Sequence, residues 1–217
     1  MFLVSFEGLD GSGKSTQAGL LAAWFRQQGL VVEMLREPGG TETSEHIRTL
    51  LLDPSQRIDP FAELLLFSAA RAQLVSEKVR PLLEAGTVVI CDRFFDSTTA
   101  YQGFGRELAE PAWLNAFHRQ VTGGLVPHRT YLIDIEPDLA RARRQARSEE
   151  DRMEASGRAF YGRVAEGYRW LAESEPDRVF RLDGAQSIES LAEAIRADAE
   201  RLLAGTARSG SGNRRTP

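Results

Sequence analysis

Four short segments dense in apolar and β-branched residues punctuate the chain, at Phe2–Phe6, Val31–Leu35, Thr87–Cys91 and Tyr131–Ile135, with a weaker fifth at Val179–Leu182. Runs of this kind predict strands buried on both faces. Between them the apolar spacing changes to a helical period over Lys14–Gln28 (closed by Gly29), Thr43–Leu52, Pro60–Glu84, Pro111–Val121, Pro137–Arg147, Ser156–Glu173 and Ile188–Leu203. Strands alternating with helices predict an α/β fold, a mostly parallel sheet covered on both faces, with ligands gathering at the carboxyl ends of its strands. No internal repeat interrupts the order. The stretch from Gly205 to Pro217, small, polar and basic, reads as a disordered tail. Its arginines offer a weaker alternative as an RNA-holding arm.

Composition narrows the class. The 217 residues fit one full-sized domain, and 42% hydrophobic with 27% charged residues is ordinary for a soluble globular protein. A net charge of −4 leaves no global basic footprint for nucleic acid or an anionic membrane, so any anion site has to be local. The longest apolar run, Leu20–Phe25, is far below the ~18 residues of a membrane span, and no basic segment with a secretion core opens the chain. A cytoplasmic protein is expected. Cys91, the single cysteine, excludes an intrachain disulfide and a multi-cysteine zinc site, and in TVVIC it reads as a small buried hydrophobe. Only Lys14 and Lys78 among the 27 basic residues are lysines, which sets Lys14 apart.

Directly after the first strand, Gly8-Leu9-Asp10-Gly11-Ser12-Gly13-Lys14-Ser15 fits G-x-x-x-x-G-K-[ST] and leads into a helix. Gly8, Gly11 and Gly13 let backbone N–H groups turn inward around phosphates, and the helix adds the positive end of its dipole. Ser12 and Thr16 belong to the same cradle. Lys14 is placed to neutralise the β- and γ-phosphates of a nucleotide, and the Ser15 hydroxyl to ligate Mg²⁺. A guanine-reading N-K-x-D is absent, since the only asparagines are Asn115 in NAFH and Asn213 in NRRT. The third strand ends in Asp92-Arg93: an acid there lies beside the phosphate loop and suits Mg²⁺ or its water, and Arg93 suits a second phosphate. Asp92 reads equally as a helix N-cap.

These motifs resemble the thymidylate kinase (dTMP kinase) family, and the likeness runs from about Phe2 to about Leu203. It rests on FEGLDGSGKST, on Arg36-Glu37-Pro38-Gly39-Gly40-Thr41, on LFSAARAQL around Phe67 and Arg71, on Asp92-Arg93, on Ser97-Thr98-Thr99-Ala100-Tyr101-Gln102-Gly103, and on Asp151-Arg152-Met153-Glu154. The resemblance implies a nucleoside-monophosphate-kinase-like three-layer fold with a five-stranded parallel sheet, one P-loop domain over residues 1–204 and a small lid at about 147–157. It implies Mg²⁺-dependent transfer of the ATP γ-phosphate to dTMP by a homodimer.

Physically, Arg36 follows the second strand and arrives near an acceptor phosphate, while Pro38-Gly39-Gly40 makes a tight loop. Phe67 and Arg71, four apart, share a helix face, so a ring can stack on a base while a guanidinium donates to its edge. Taken alone, an aromatic such as Phe67 is more often core. The resemblance makes Phe67 the thymine platform and Arg71 the donor to a thymine carbonyl. It also places Thr98, Tyr101 and Gln102 at the acceptor, Tyr101 against the sugar 2′ position, Asp10 at the 3′-hydroxyl, and Arg48 at the border of that cavity. Tyr101-Gln102-Gly103 reads alternatively as a helix end with Gly103 as cap.

Phosphoryl transfer spreads charge over the γ oxygens, so arginines are expected to stabilise it. Arg143, Arg147 and Arg152 lie in or just before SEEDRMEASG, a charged stretch suited to a lid. Because Gly11 occupies the position after the loop acid, the likeness is to the subgroup whose lid supplies the catalytic arginine, here assigned to Arg152, with Arg143 flanking the adenine. Phe94 departs from the family's usual tyrosine or histidine. Two other readings compete: a kinase for a different nucleotide or nucleoside, and a P-loop switch that binds ATP without an acceptor. The set Phe67, Arg71 and Gln102 favours an acceptor base.

Overall fold

The computed structural model describes residues 2–145, 152, 153 and 156–210. Five parallel strands, β1 (Phe2–Glu7), β2 (Val32–Arg36), β3 (Val88–Asp92), β4 (Arg129–Asp134) and β5 (Val179–Asp183), form one sheet in the order β2-β3-β1-β4-β5. Even in these continuous apolar runs, successive side chains must point to opposite faces. Phe2, Val4 and Phe6 of β1 join Val88, Ile90, Tyr131 and Ile133 beneath α1 (Lys14–Gln27) and α9 (Ile188–Gly210). Leu3, Val89 and Cys91 face the other way, against α3 (Pro60–Leu74), α4 (Arg80–Glu84) and α5 (Phe95–Thr98). On that same face Leu132 and Val179 pack on α8 (Arg158–Ser174). The predicted three-layer α/β architecture is therefore the one observed. Burial drives the Cys91 thiol well above its ordinary pKa.

The helix ends follow local chemistry. Thr41 Oγ1 accepts from the Ser44 N–H to cap α2 (Glu42–Leu52), and Asp59 caps α3 with Pro60 in its first turn. The helix predicted as unbroken from Pro60 to Glu84 instead widens into a π-helical turn at Val75–Val79 before α4. Pro81 at the start of α4 has no N–H to give the preceding turn, so the ladder shifts there. A second π-helical stretch, Thr99–Gly105, continues α5. Gly103 is inside it and caps nothing. A Cβ there would stand 2.6 Å from Leu114 Cδ1 of α6 (Pro111–Thr122), so glycine lets the two elements approach.

After β4 comes α7 (Pro137–Gln145), and the predicted lid at 147–157 falls largely outside the described residues. α9 runs to Gly210, past the predicted end at Leu203 and into the stretch assigned to a tail. Asp96, buried at the start of α5, is clasped by both Nη groups of Arg178 at 2.7 and 2.8 Å and by Thr130 at 3.0 Å, fastening α5 to β4 and to the turn before β5. No helix among the described residues is long and apolar enough to cross a membrane.

Register positions the site. Phe6 of β1 and Arg36 of β2 both lie opposite Asp92, which puts Glu7, Glu37 and Arg93 together one step beyond the strand ends. In the layer between the sheet and α1, Leu21 is 1% exposed among Phe6, Phe25 and Ile90 of the same cluster. Leu21→Ala is expected to lower unfolding free energy by about 2–5 kcal/mol, read as a fall in the midpoint of a denaturant melt. An unshifted midpoint would remove Leu21 from that layer.

Candidate active site

The turn after β1 is forced by geometry before chemistry enters. Gly8 has φ 136° and a Cβ there would stand 2.3 Å from the Ile133 carbonyl oxygen, so no side chain fits. Gly11 and Gly13 are also left-handed, at 86° and 101°, and α1 begins immediately afterwards at Lys14. Buried Lys14 donates to the Leu9 carbonyl at 2.9 Å and lies 3.7 Å from Asp10. Burial and then Arg93 lower its pKa, against the pull of Asp10, Asp92 and Glu7. Ser15 Oγ donates to Asp92 Oδ2, and Ser12 Oγ is buried without a partner. Thr16 is exposed beside them.

This loop forms one wall of a cavity of about 270 Å³. Lys14 is joined around it by Arg36, Arg48 and Arg93, so four cations line a space that also holds Asp10, Glu37 and Asp92. Arg36 is held by Glu45 at 2.9 Å and by the Pro38 carbonyl, which also accepts from Arg48 at 3.0 Å. Arg143 stands apart, reaching from α7 to the Gly184 carbonyl at 3.1 Å.

Arg93 has the most partners. It adopts φ 74°, a left-handed backbone that costs a non-glycine residue about 1–3 kcal/mol. From there Nη2 donates to Asp10 at 2.7 Å and to Tyr101 Oη at 3.1 Å, and Nη1 donates to Ser97 Oγ at 2.9 Å and Tyr168 Oη at 3.0 Å. Its guanidinium also lies 5.0 Å above the Tyr101 ring. Beneath it, Glu7 accepts from the Phe94 N–H at 2.7 Å, Ser97 Oγ at 2.6 Å and Tyr168 Oη at 2.9 Å. With Glu7 ionised, both hydroxyl protons go to it and their lone pairs face Arg93.

Beside this network, three side chains of α3 at four-residue spacing face α5 and its π-helical extension. Arg71, 2% exposed, gives Nε to Glu37 at 2.6 Å, Nη1 to Thr98 at 2.9 Å and Nη2 to the Phe94 carbonyl at 3.2 Å. One turn back is half-buried Phe67, and a turn before it Glu63 accepts from Gln102 Nε2 at 2.8 Å. Thr98 and Gln102 are likewise four apart. Glu63 also takes ion pairs from Arg106 at 3.2 Å and Arg152 at 2.7 Å.

A sequence model of the thymidylate kinase family matches residues 6–195. The chain belongs to the thymidylate kinase family. It is 47% identical to a thymidylate kinase of Chlorobium chlorochromatii over 93% of this chain and 95% of that one, and 44% identical to one of Deinococcus radiodurans over 87% and 91%. A crystal structure of thymidylate kinase from Ehrlichia chaffeensis superposes with a TM-score of 0.74 at 32% identity, covering 92% of this chain and 98% of that one.

Against the thymidylate kinase pattern, the structure gathers Lys14, Ser15, Asp92, Asp10, Arg36, Arg48 and Arg93 around one cavity and lines up Phe67, Arg71, Thr98 and Gln102 beside it. Arg152 stands elsewhere. Its Nε donates to the Leu51 carbonyl at 2.7 Å and its Nη1 pairs with Glu63, against a separate cavity shared with Arg57 and Arg106. Phe94 is fully buried among Leu3, Leu74 and Val79, so the side chain that departs from the family points into the core. Sequence reasoning missed Glu7, Glu37, Glu63, Ser97 and Tyr168. The available signal was a carboxylate inside an apolar run, as in LVSFEG and AELLLF, because an acid in such a place needs a buried partner.

Glu7 gives this network a pH dependence. Burial, then the charge of Asp96, raises its pKa to about 7 from 4.5, against Arg93 and the Ser97 and Phe94 bonds. Between those values the native state holds the proton more tightly than the unfolded chain, so this contribution is fully present below about pH 4.5 and is lost as pH rises through 7. Glu37, raised to about 7 by burial against the pull of Arg71, acts in the same direction. Glu7→Gln is expected to lose less stability than the parent between pH 5 and pH 8 in thermal melts. Equal losses would place the proton elsewhere.

Proposed function

We propose that this protein transfers the γ-phosphoryl group of ATP to the 5′-phosphate of dTMP, giving dTDP, with Mg²⁺, as a cytoplasmic homodimer. One observation carries the reading: a single cavity takes Lys14 from the nucleotide-binding loop, Arg36 and Arg93 from the ends of β2 and β3, and Arg48 from α2. Two phosphate-bearing ligands can thus meet there, and charge that shifts between them stays neutralised.

On the donor side, the backbone of Gly8, Gly11 and Gly13 with Ser12, Lys14, Ser15 and Thr16 is assigned to the ATP phosphates, and Arg143 to the adenine. Unpartnered Ser12 Oγ suits a phosphate oxygen. The Ser15 hydroxyl and Asp92 carboxylate, already in contact at the cavity wall, fit Mg²⁺, which takes few protein ligands beside phosphates and waters. Bound there, Mg²⁺ would supply charge neutralisation to the phosphate oxygens. Lys14 is assigned to neutralise the same phosphates and is catalytic together with Asp92 and Arg93.

On the acceptor side, Phe67 supplies a face for the thymine ring, and Arg71 keeps two of its five N–H groups beyond those already donated. Thr98 and Gln102 border the base, Tyr101 the sugar, and Asp10, held by Arg93, the 3′-hydroxyl. The acceptor phosphate is an anion already, so no strong base is needed. For the dimer, Leu50 of α2, Phe61 and Leu65 of α3 and Trp113 of α6 are exposed on helices where α3 packs against both neighbours. The single cysteine agrees with a reducing compartment.

A panel of monophosphates tests the reading. The unmodified enzyme is expected to prefer dTMP, to use dUMP less well for want of a methyl contact worth roughly 1–3 kcal/mol, and to reject dCMP and AMP by up to ~10⁴ in kcat/KM. Comparable values for dTMP and AMP would sink it. This panel is cleaner than Arg71→Ala, which would also strand buried Glu37.

A role for Arg152 at the transferring phosphoryl group requires it to exchange Glu63 for that group. In that role, Arg152→Ala lowers kcat on the order of 10² with a smaller change in KM for dTMP. A rise in KM with kcat intact would instead assign Arg152 to the wall it occupies here.

A further inference from the structure

Glu63 has no part in any step described so far, although it is 1% exposed and draws Arg106, Arg152 and Gln102 onto its two oxygens. Burial alone would raise its pKa, but the bonds from Arg106, Gln102 and Arg152 outweigh it and hold the carboxyl below the usual range. Glu63 is therefore ionised at neutral pH, and an ionised carboxylate can only accept hydrogen bonds.

A glutamine amide has one donating end and one accepting end, and nothing in its shape decides which faces a neighbour. Opposite Glu63 the choice is made. The Gln102 NH₂ group must face the carboxylate, at 2.8 Å, because the alternative sets two acceptors against each other. The other end, Oε1, takes no hydrogen bond from any described residue. Glu63 and Arg71 flank Phe67 along α3, and their partners Gln102 and Thr98 are spaced by one turn across from it. A ring lying on Phe67 thus has guanidinium N–H donors at one end of its slot and an amide at the other.

We propose that Glu63 fixes the sense of the Gln102 amide so that it presents an acceptor, and thereby makes the site require a base with an N–H donor at ring position 3. The inference rests on the acceptor being a pyrimidine monophosphate bound over Phe67. Thymine and uracil offer a carbonyl beside an N–H, matching donors from Arg71 and an acceptor from Gln102. Cytosine offers an amino group beside a bare nitrogen, the reverse at both places. Glu63 is a positioning residue here, acting through Gln102 without touching the base.

The test compares dTMP with N3-methyl-dTMP, in which a methyl group replaces the N3 proton and both ring carbonyls are kept. In the unmodified enzyme kcat/KM is expected to favour dTMP on the order of 10²-fold, because the analogue leaves the Gln102 oxygen unpaired. Glu63→Gln can face either end of the Gln102 amide, so the ratio should shrink tenfold or more. Glu63→Asp, still acceptor-only, should keep it even if both rates fall. A purely structural role for Glu63 lowers both substrates alike, and an unchanged ratio in Glu63→Gln overturns the proposal, as does a ratio near one in the unmodified enzyme. Should Glu63→Gln fail to fold, Glu63→Asp must retain the ratio and Gln102→Leu must lose it; any other pattern overturns it. Failure of the unmodified enzyme to use dTMP at all strikes the kinase reading itself and takes this proposal with it.

Discussion

A charge taken out of water has to find its counterpart within hydrogen-bond reach, or the fold cannot keep it. The carboxyl edge of this sheet buries Glu7, Lys14 and Glu37 in or just after the strand ends, and α3 brings buried Arg71 and Glu63 to it from either side of Phe67. Each is held by groups from other elements: Glu37 from the β2 loop answers Arg71 from α3, Glu63 from α3 answers Arg106 beyond the π-helical stretch, and Glu7 from β1 meets the Tyr168 hydroxyl from α8. The parallel register makes this possible by ending β1, β2 and β3 at one level. Pairing of this kind yields little net stability, but it restricts where each guanidinium can point. That restriction is the useful product, since a transferring phosphoryl group has to be met by donors already in place.

How much of this was legible in the sequence follows from how far each signal reaches along the chain. Local signals read well: apolar runs gave all five strands, including the weak one at Val179–Asp183, and the glycine-lysine-serine spacing gave the loop after β1. The break in the long helix was also local, at Pro81, but apolar periodicity continues across a π-helical turn and masks it. Pairings were not legible. Glu7 and Tyr168 are 161 positions apart, Glu7 and Phe94 are 87, and nothing in one segment announces the other. Arg152 shows the same limit from the opposite direction. A basic residue in a charged stretch was expected at the phosphates, yet it sits on Glu63, a carboxylate whose own neighbours are apolar in sequence.

Arg93 and Glu63 are two hubs of hydrogen bonding and ion pairing at the candidate site. Arg93 joins Asp10 of the nucleotide loop to Tyr101 and Tyr168. Glu63 ties the π-helical stretch to α3 and to Arg152, in the segment that follows α7. Between the two hubs, Arg71 of α3 donates to Thr98 of α5.

Cys91 has a practical consequence of another kind. It is the chain's single cysteine, it is wholly enclosed in β3, and its surroundings hold the thiol in the unreactive protonated form. A cysteine introduced at an exposed position such as Val31, 72% accessible, would therefore be the one thiol that maleimide reaches in the folded protein. Fluorophores or spin labels can be attached singly, or in pairs for distance measurement, with the native sequence otherwise untouched and no thiol deleted from the core.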